Sequence, residues 1–401
     1  MNEWKEYKLG DLGTVITGKT PSKNNPEDWG DEMPFVTPSD YKNYGKFAEK
    51  AERNLSKFGI ERLKNKILPS KSILVTCIGS DMGKVAINTR QVITNQQINS
   101  IIPNSKVDSD FLYYRLVSMY EILRIYGGDG TAVPIVNKGD FENIETEIPP
   151  LPEQTAIASV LSSLDGKIDL LHRQNATLEK MAETLFRQWF VEEAKEEWEE
   201  TILAEHTKVF RGLSYKGSGL SEMGNGFPMH NLNSVYEGGG YKYEGIKFYK
   251  GEYKERHLVN PGDIIVTNTE QGHEFRLIGF PAIVPEYYGL KGIFSQHIYK
   301  LILLEDSYLS NEFIYYLLMT PVIREQIIAA TNGSTVNMLA IDGLQRPEFK
   351  LPPKELVEKF TTTVSHYWKN KNSNHNQIRT LTALRDTLLP KLMSGEVKVL
   401  L

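Results

Sequence analysis

One cysteine in 401 residues excludes an internal disulfide and a thiolate zinc site together. Cys77 sits in the apolar run SILVTCIGS and reads as a small buried side chain of a reducing compartment. No apolar run approaches the roughly 18–20 residues of a membrane span, and the opening MNEWKEYKLG lacks the apolar core of a signal peptide. The expected location is the cytoplasm, without a membrane partner. Excess positive charge is missing too: 46 Lys and Arg face 51 Asp and Glu, a formal net charge of −5. Any contact with nucleic acid must therefore come from local patches or through a partner. Catalytic signatures are also lacking. No G-x-G-x-x-G follows a strand, and the eight histidines show no H-E-x-x-H spacing. The adenine-methylation run Asn/Asp-Pro-Pro-aromatic is absent, since the proline pairs follow Ile148 and Leu351. Neither a catalytic constellation nor a metal site is expected.

One stretch does match a catalytic pattern. GTVITGKT, Gly13–Thr20, fits the phosphate-loop spacing G-x-x-x-x-G-K-[ST]. Such a loop needs a buried strand before it and a helix after it. Here a charged WKEYKLGDL precedes, and Pro21 and Pro26 break any helix that would follow. The match reads as coincidence.

What the chain has is a copy of itself. Trp4–Ser22 aligns with Trp198–Lys216 at a shift of 194, which pairs Val15 with Val209, Gly18 with Gly212 and Pro34 with Pro228. Further on, SILVT (72–76) matches DIIVT (263–267), and NQQI (95–98) matches SQHI (295–298). FLYYRL (111–116) matches FIYYLL (313–318), GTAV (130–133) matches GSTV (333–336), and IPP (148–150) matches LPP (351–353). The phosphate-loop lysine becomes Leu213 in the second copy while the apolar–Gly core persists, so the repeated feature is a strand and turn. A period near two hundred residues is too long for a solenoid and indicates two copies of a whole domain.

Within each copy, short β-rich runs alternate with Gly/Asn/Pro turns and one helical stretch, an α+β pattern. After each Pro-Pro the pattern becomes heptad. The first seam runs through Ile157, Leu161, Leu164, Ile168, Leu171, Leu178, Ala182, Leu185 and Trp189, interrupted by Asn175. The second runs through Phe360, Val364, Tyr367, Ile378, Leu381, Leu388 and Leu392, with Lys371 and Asn374 at inner positions, and is expected to end or bend near Pro390. The division expected is domain 1 at 1–150, a spacer helix at 151–197, domain 2 at 198–353, and a second spacer helix with tail at 354–401. The helices are expected to form an antiparallel coiled coil, giving the chain a pseudo-two-fold internal repeat. Two related but different domains on such a spacer suit a split, asymmetric DNA target, with half-sites spaced by helical turns of ~34 Å.

This organisation resembles the specificity (S) subunit of Type I restriction-modification systems over the whole chain. The sharpest markers are IPPLPEQTAIASVLSSLDGKID (148–169) and LRDTLLPKLMSGEV (384–397), supported by WKEYKLGDL and the run Gly130–Pro150. The resemblance implies two target-recognition domains separated by two long helices in an antiparallel coiled coil, and a subunit that does no chemistry itself. It implies double-stranded DNA and two methyltransferase (M) subunits as partners, with restriction (R) subunits reached through them. No cofactor is expected in this chain; S-adenosylmethionine and ATP are used by the partner subunits. The post-LPP segment, KELVEKFTTTVSHYWKNKNSNHNQ, is more polar than its counterpart.

Base reading needs amide, hydroxyl and guanidinium groups on a rigid platform, and phosphate anchoring needs Lys and Arg. Tyr41–Lys66 carries eight Lys/Arg against three Glu, and Tyr241–Arg256 carries five against three with five aromatics interleaved. Candidate DNA contacts in the first copy are Thr17, Lys19, Thr20, Thr37, Ser39, Lys42, Lys46, Asn95 and Gln96, with Asp40 and Gln97 beside them. In the second they are Arg211, Ser214, Lys216, Asn231, Asn233, Lys242, Lys247, Lys250, Gln296 and His297, with Ser234 and Ser295 beside them. Gly130-Thr131 and Gly333-Ser334 are further candidates for phosphate. A scaffold that keeps the coiled coil but has lost DNA reading is the alternative, distinguished by the absence of a phosphate-driven salt slope.

Overall fold

The computed structural model describes residues 4–127, 134–272, 274–289, 291–333 and 336–399. The chain divides into two compact units, one of Met1–Leu170 with Ile378–Leu401, the other of Leu171–Gln377. The division falls inside both long helices, Leu151–Arg187 and Lys354–Met393, so each unit owns half of each helix. Packing causes this, because the apolar face of each half is covered by the globular part of its own unit.

In unit 1 the short strands Lys5–Lys8 and Glu145–Ile148 pair antiparallel and bring the ends of the globular part together. The main sheet orders Gly13–Thr17, Ile98–Pro103, Ile73–Thr76, Val85–Asn88 and Phe47–Ala48. A second sheet orders Trp29–Gly30, Arg53–Leu55, Met33–Val36 and Ile93–Thr94. The helix Ser109–Ser118, capped by Asp108, buries Phe111, Leu112 and Leu116 on the main sheet. Unit 2 repeats the plan: Glu200–Ile202 pairs with Glu348–Lys350, and its main sheet orders Thr207–Arg211, Ile298–Leu303, Ile264–Thr267 and Pro281–Ile283. The registers match residue for residue. Thr17 sits opposite Asn99 as Arg211 sits opposite Tyr299, and Phe35 pairs Ile93 in parallel as Met229 pairs Ile293. Gly13–Thr17, the first part of the phosphate-loop match, is a sheet strand.

The helix halves are antiparallel in both units. In unit 1, Ile157, Ala158 and Leu161 join Leu392 and Met393 in the core with Phe111, and Arg385 Nη1 donates to Asp165 Oδ1 at 3.0 Å. In unit 2, Ala182 and Phe186 face Val357, Phe360 and Val364, and Phe186 lies 5.3 Å from Phe313 and 5.5 Å from Phe360 between ring centroids. The polar inner residues find one another. Asn374 Nδ2 donates to Asn175 Oδ1 at 2.9 Å, and Lys371 pairs with Glu179. Each globular part is tied to its helices by a tyrosine from the repeated Phe-x-Tyr-Tyr: Tyr114 donates to Asp165 at 2.6 Å and Tyr316 to Glu179 at 3.0 Å. The second long helix continues three residues past Pro390. A proline this near the end costs little, because the helix stops at Met393 and the Pro390 carbonyl still accepts from Ser394 at 3.0 Å.

The tail after Pro390 completes unit 1. Arg115 donates to the Met393 carbonyl and to Thr146 Oγ1, both at 2.7 Å, and Val397 and Val399 pack on the unit 1 core.

Candidate nucleic-acid interface

In each unit three chain segments converge at one corner of the main sheet. The first strand ends, and a glycine lets the chain lie against the loop before the partner strand. Added at Gly18, a Cβ would meet the carbonyl oxygens of Thr94 and Asn95 at 2.2 Å; added at Gly212, it would meet that of Ser295 at 2.1 Å. No other side chain fits there, which accounts for the shared glycine. Backbone bonds then lock the corner: Lys19 N–H to Thr94 O at 2.9 Å in unit 1, Leu213 N–H to Phe294 O at 2.8 Å in unit 2. The third segment joins through Asn95 N–H to Val36 O at 3.0 Å, matched by Ser295 N–H to His230 O at 2.9 Å.

This rigid frame carries different side chains in its two versions. Unit 1 brings together Thr17, Lys19 and Thr20 with Asn95, Gln96 and Gln97. Thr20 Oγ1 donates to Gln96 Oε1 at 2.6 Å, Thr17 Oγ1 to Asn99 Oδ1 at 2.6 Å, and Asn95 Nδ2 to Gln97 Oε1 at 2.9 Å. Lys19, Thr20 and Gln96 are exposed, whereas Asn95 is buried and organises the loop by accepting from Gln97 N–H at 3.1 Å. Lys66, absent from the sequence candidates, reaches the Thr17 carbonyl at 2.9 Å. Unit 2 brings together exposed Arg211 and Ser214 with exposed Gln296 and His297, whose ring nitrogens sit 3.2 Å from Gln296 Nε2 and from Thr269 Oγ1. One frame is amide-rich and the other carries a guanidinium and an imidazole.

Other candidates turn inward. Lys46 is buried, paired with Asp110, hydrogen-bonded to Ser162 Oγ at 2.8 Å and seated 4.6 Å from the Tyr114 ring centroid. It fastens the sheet to the first long helix and has no free charge for a phosphate. Thr37 and Asn231 are matched caps: Thr37 Oγ1 donates to buried Asp40 at 2.8 Å, and Asn231 gives its amide to the carbonyls of Met229 and Gly245. Both spend their side-chain donors inside these turns, leaving none for a base edge. Ser39 and Asn233, in the same turns, are exposed. Lys42 is exposed and pairs with Glu52 at 2.9 Å. Lys216 and Lys250 are exposed, Lys242 is half-buried, and Lys247 lies 3.2 Å from Tyr215 Oη. Gly130, Thr131 and Ser334 lie outside the described residues.

Two buried titratable groups, His230 and Cys77, are held neutral. Burial holds His230 down to about 3, with Tyr241 Oη 2.8 Å from Nδ1, and pushes the Cys77 thiol up to about 12. Such groups serve packing, not proton transfer at neutral pH. Among the described residues no group of three or more His, Cys, Asp or Glu is placed to hold a metal ion. No helix among them is long and apolar enough to cross a membrane.

The sequence matches the family described as Type I restriction modification DNA specificity domain twice, over residues 1–180 and 195–382. The MjaIX specificity subunit of a Type I restriction enzyme from Methanocaldococcus jannaschii is 29% identical over 417 residues, covering 99% of this chain and 94% of that one. The HindI specificity subunit from Haemophilus influenzae is 40% identical over 148 residues, covering 36% of this chain and 32% of that one. Among solved structures, the Type I restriction-modification S subunit from M. genitalium superposes with a TM-score of 0.62 at 18% identity, covering 97% and 96% of the two chains.

Proposed function

Because this chain belongs to the Type I restriction-modification DNA specificity family, we propose that it is the non-catalytic subunit that reads DNA for such a complex. Each unit reads one half of a split, asymmetric target on double-stranded DNA. The helices and the surfaces beside them dock two methyltransferase subunits, and restriction subunits join through these. The adenine chemistry, with S-adenosylmethionine, and the ATP-driven steps belong to the partners.

The observation that supports this reading is the corner built twice on one backbone plan with different polar side chains. A platform repeated for stability alone has no reason to exchange Thr17, Lys19 and Gln97 for Arg211, Leu213 and His297 at this corner while keeping its glycine. Hydrogen-bonding groups that vary on a fixed frame are what direct readout of two different half-sites requires. A net acidic chain gains little from phosphate attraction. The isolated subunit therefore binds duplex DNA weakly, and affinity rises when methyltransferase subunits enclose the duplex.

The test is methylation in cells that also express the partner subunits. Exchanging residues 1–150 for those of another family member moves one half of the methylated sequence and leaves the other half unchanged. A methylated sequence that stays the same after the exchange refutes the reading.

A further inference from the structure

The two units differ in the connection between one pair of matching strands. In unit 1, eight residues (77–84) join Ile73–Thr76 to Val85–Asn88; in unit 2, thirteen (268–280) join Ile264–Thr267 to Pro281–Ile283. The additional residues are held from both backbone polarities. The buried Glu270 carboxylate accepts three consecutive N–H groups, from Arg276 at 2.9 Å, Leu277 at 3.0 Å and Ile278 at 2.8 Å. Arg324, buried on the helix Pro321–Ala329, donates to the carbonyls of Ile278 at 2.7 Å and Phe275 at 3.2 Å. Its guanidinium lies 3.7 Å from the Phe280 ring centroid. Between these clamps Phe275 takes a positive φ of 52°, a conformation unfavourable for a non-glycine residue.

A buried carboxylate, a buried guanidinium and a strained residue are each unfavourable in isolation. A plain connection between strands requires none of them. What they fix is the placement of Arg276, whose side chain is 61% exposed. Its Nε lies 3.0 Å from Glu274 and its Nη1 4.0 Å from Glu237, carboxylates that are themselves well exposed. Exposed pairs of this kind are weak, enough to align the fork and too little to withhold it. The segment also adjoins the unit 2 corner: Asn268 Nδ2 donates to Gln296 O at 3.0 Å, and Thr269 Oγ1 lies 3.2 Å from His297 Nδ1.

We propose that Glu274–Phe280, held by Glu270 and Arg324, is a second base-reading element, found in unit 2 only, in which Arg276 reads a guanine and Glu274 the paired cytosine. The guanidinium fork matches guanine O6 and N7, and a carboxylate beside it accepts from cytosine N4, so the two together match one G·C pair. Glu270 and Arg324 are positioning residues that act through the loop backbone. This rests on the DNA-reading function proposed above and adds a named position to it.

The experiment uses the full chain assembled with its methyltransferase subunits, and maps methylated adenines by sequencing for wild type, Arg276→Ala, Arg276→Lys, Glu270→Gln and, as control, Arg211→Ala. Arg276→Ala relaxes a single G·C position in the half-site read by unit 2, with discrimination there falling about ten- to a hundredfold, and leaves the other half-site untouched. Arg276→Lys keeps the charge, loses the fork and relaxes the same position. Glu270→Gln relaxes it too, and speeds hydrogen exchange at the amides of Arg276, Leu277 and Ile278. If Glu270→Gln does not fold, the two Arg276 variants decide alone, since that side chain lies outside the core. An unchanged methylated sequence in both Arg276 variants, or relaxation in the unit 1 half-site, overturns the inference while the parent reading stands. A wild-type complex without sequence preference overturns both.

Discussion

Replacing Asn374 with leucine leaves Asn175 in a seam where it is only 6% exposed and where its Nδ2 already lacks a partner. The bond lost is the 2.9 Å contact from Asn374 Nδ2 to Asn175 Oδ1. A buried amide without partners costs about 1–3 kcal/mol, so either single change, Asn374→Leu or Asn175→Leu, destabilises unit 2 by that amount. Changing both removes the stranded amide and lets two leucines continue the apolar seam, where each buried side chain contributes about 1.5–3 kcal/mol relative to exposure. The double variant is therefore as stable as wild type or more so, and the cycle gives a coupling of about 2–6 kcal/mol between the two sites. Denaturant titration followed by tryptophan fluorescence measures it, since three of the five tryptophans (Trp189, Trp198 and Trp368) lie in unit 2. A double variant destabilised by the sum of the singles would show that the amides do not act as a pair.

Three further outcomes follow from the same structure. Gly18→Ala and Gly212→Ala each press a methyl into backbone carbonyls and cost their own unit about 1–3 kcal/mol; wild-type unfolding midpoints for both would contradict the close approach at the corner. Tyr114→Phe and Tyr316→Phe each remove a hydrogen bond to a carboxylate, worth about 1.5–3 kcal/mol, and should loosen the globular part from its helices, read as faster exchange at the Ser109–Ser118 and Asn311–Met319 amides respectively. His230, held down to about 3 by burial, takes up a proton in the unfolded chain near its ordinary value of about 6.5 but in the folded chain only near 3. Its contribution is thus complete above pH 6.5 and is lost progressively as pH falls toward 3. A His230→Gln variant should flatten that slope, and an unaltered slope would discount this residue as its source.

The repeat carried most of the fold. Shifts of 194 and 200 residues between the copies, visible in the strings around Gly18 and Gln96, place Thr17 opposite Asn99 and Arg211 opposite Tyr299, the registers the sheets adopt. The heptad steps located both long helices, and Asn175, Lys371 and Asn374 stood out as interruptions whose partners no spacing reveals, because those partners lie on the other helix. The shared corner was legible as two candidate strings, but which side chains face out was not. Asn95 and Asn231 have the composition of base readers and are consumed by nearby backbone groups. Lys46 sits in a basic run, yet its partner Asp110 lies on a helix 64 residues further on, outside any local window. The clamped loop of unit 2 left one trace, a longer gap between matching strands, while the Glu270 contacts that make it rigid arise only once the chain turns back.

Unit 1 begins at the N-terminus yet contains Leu392, Met393, Val397 and Val399 in and against its core. On the ribosome those side chains emerge after every residue of unit 2. The lobe synthesised first therefore waits, with the Phe111 and Leu161 surfaces uncovered, while the lobe synthesised second has all its own parts and closes ahead of it. Release of a truncated product consequently yields one finished lobe and one open one, and the open one is the half with exposed apolar surface that chaperones and proteases engage.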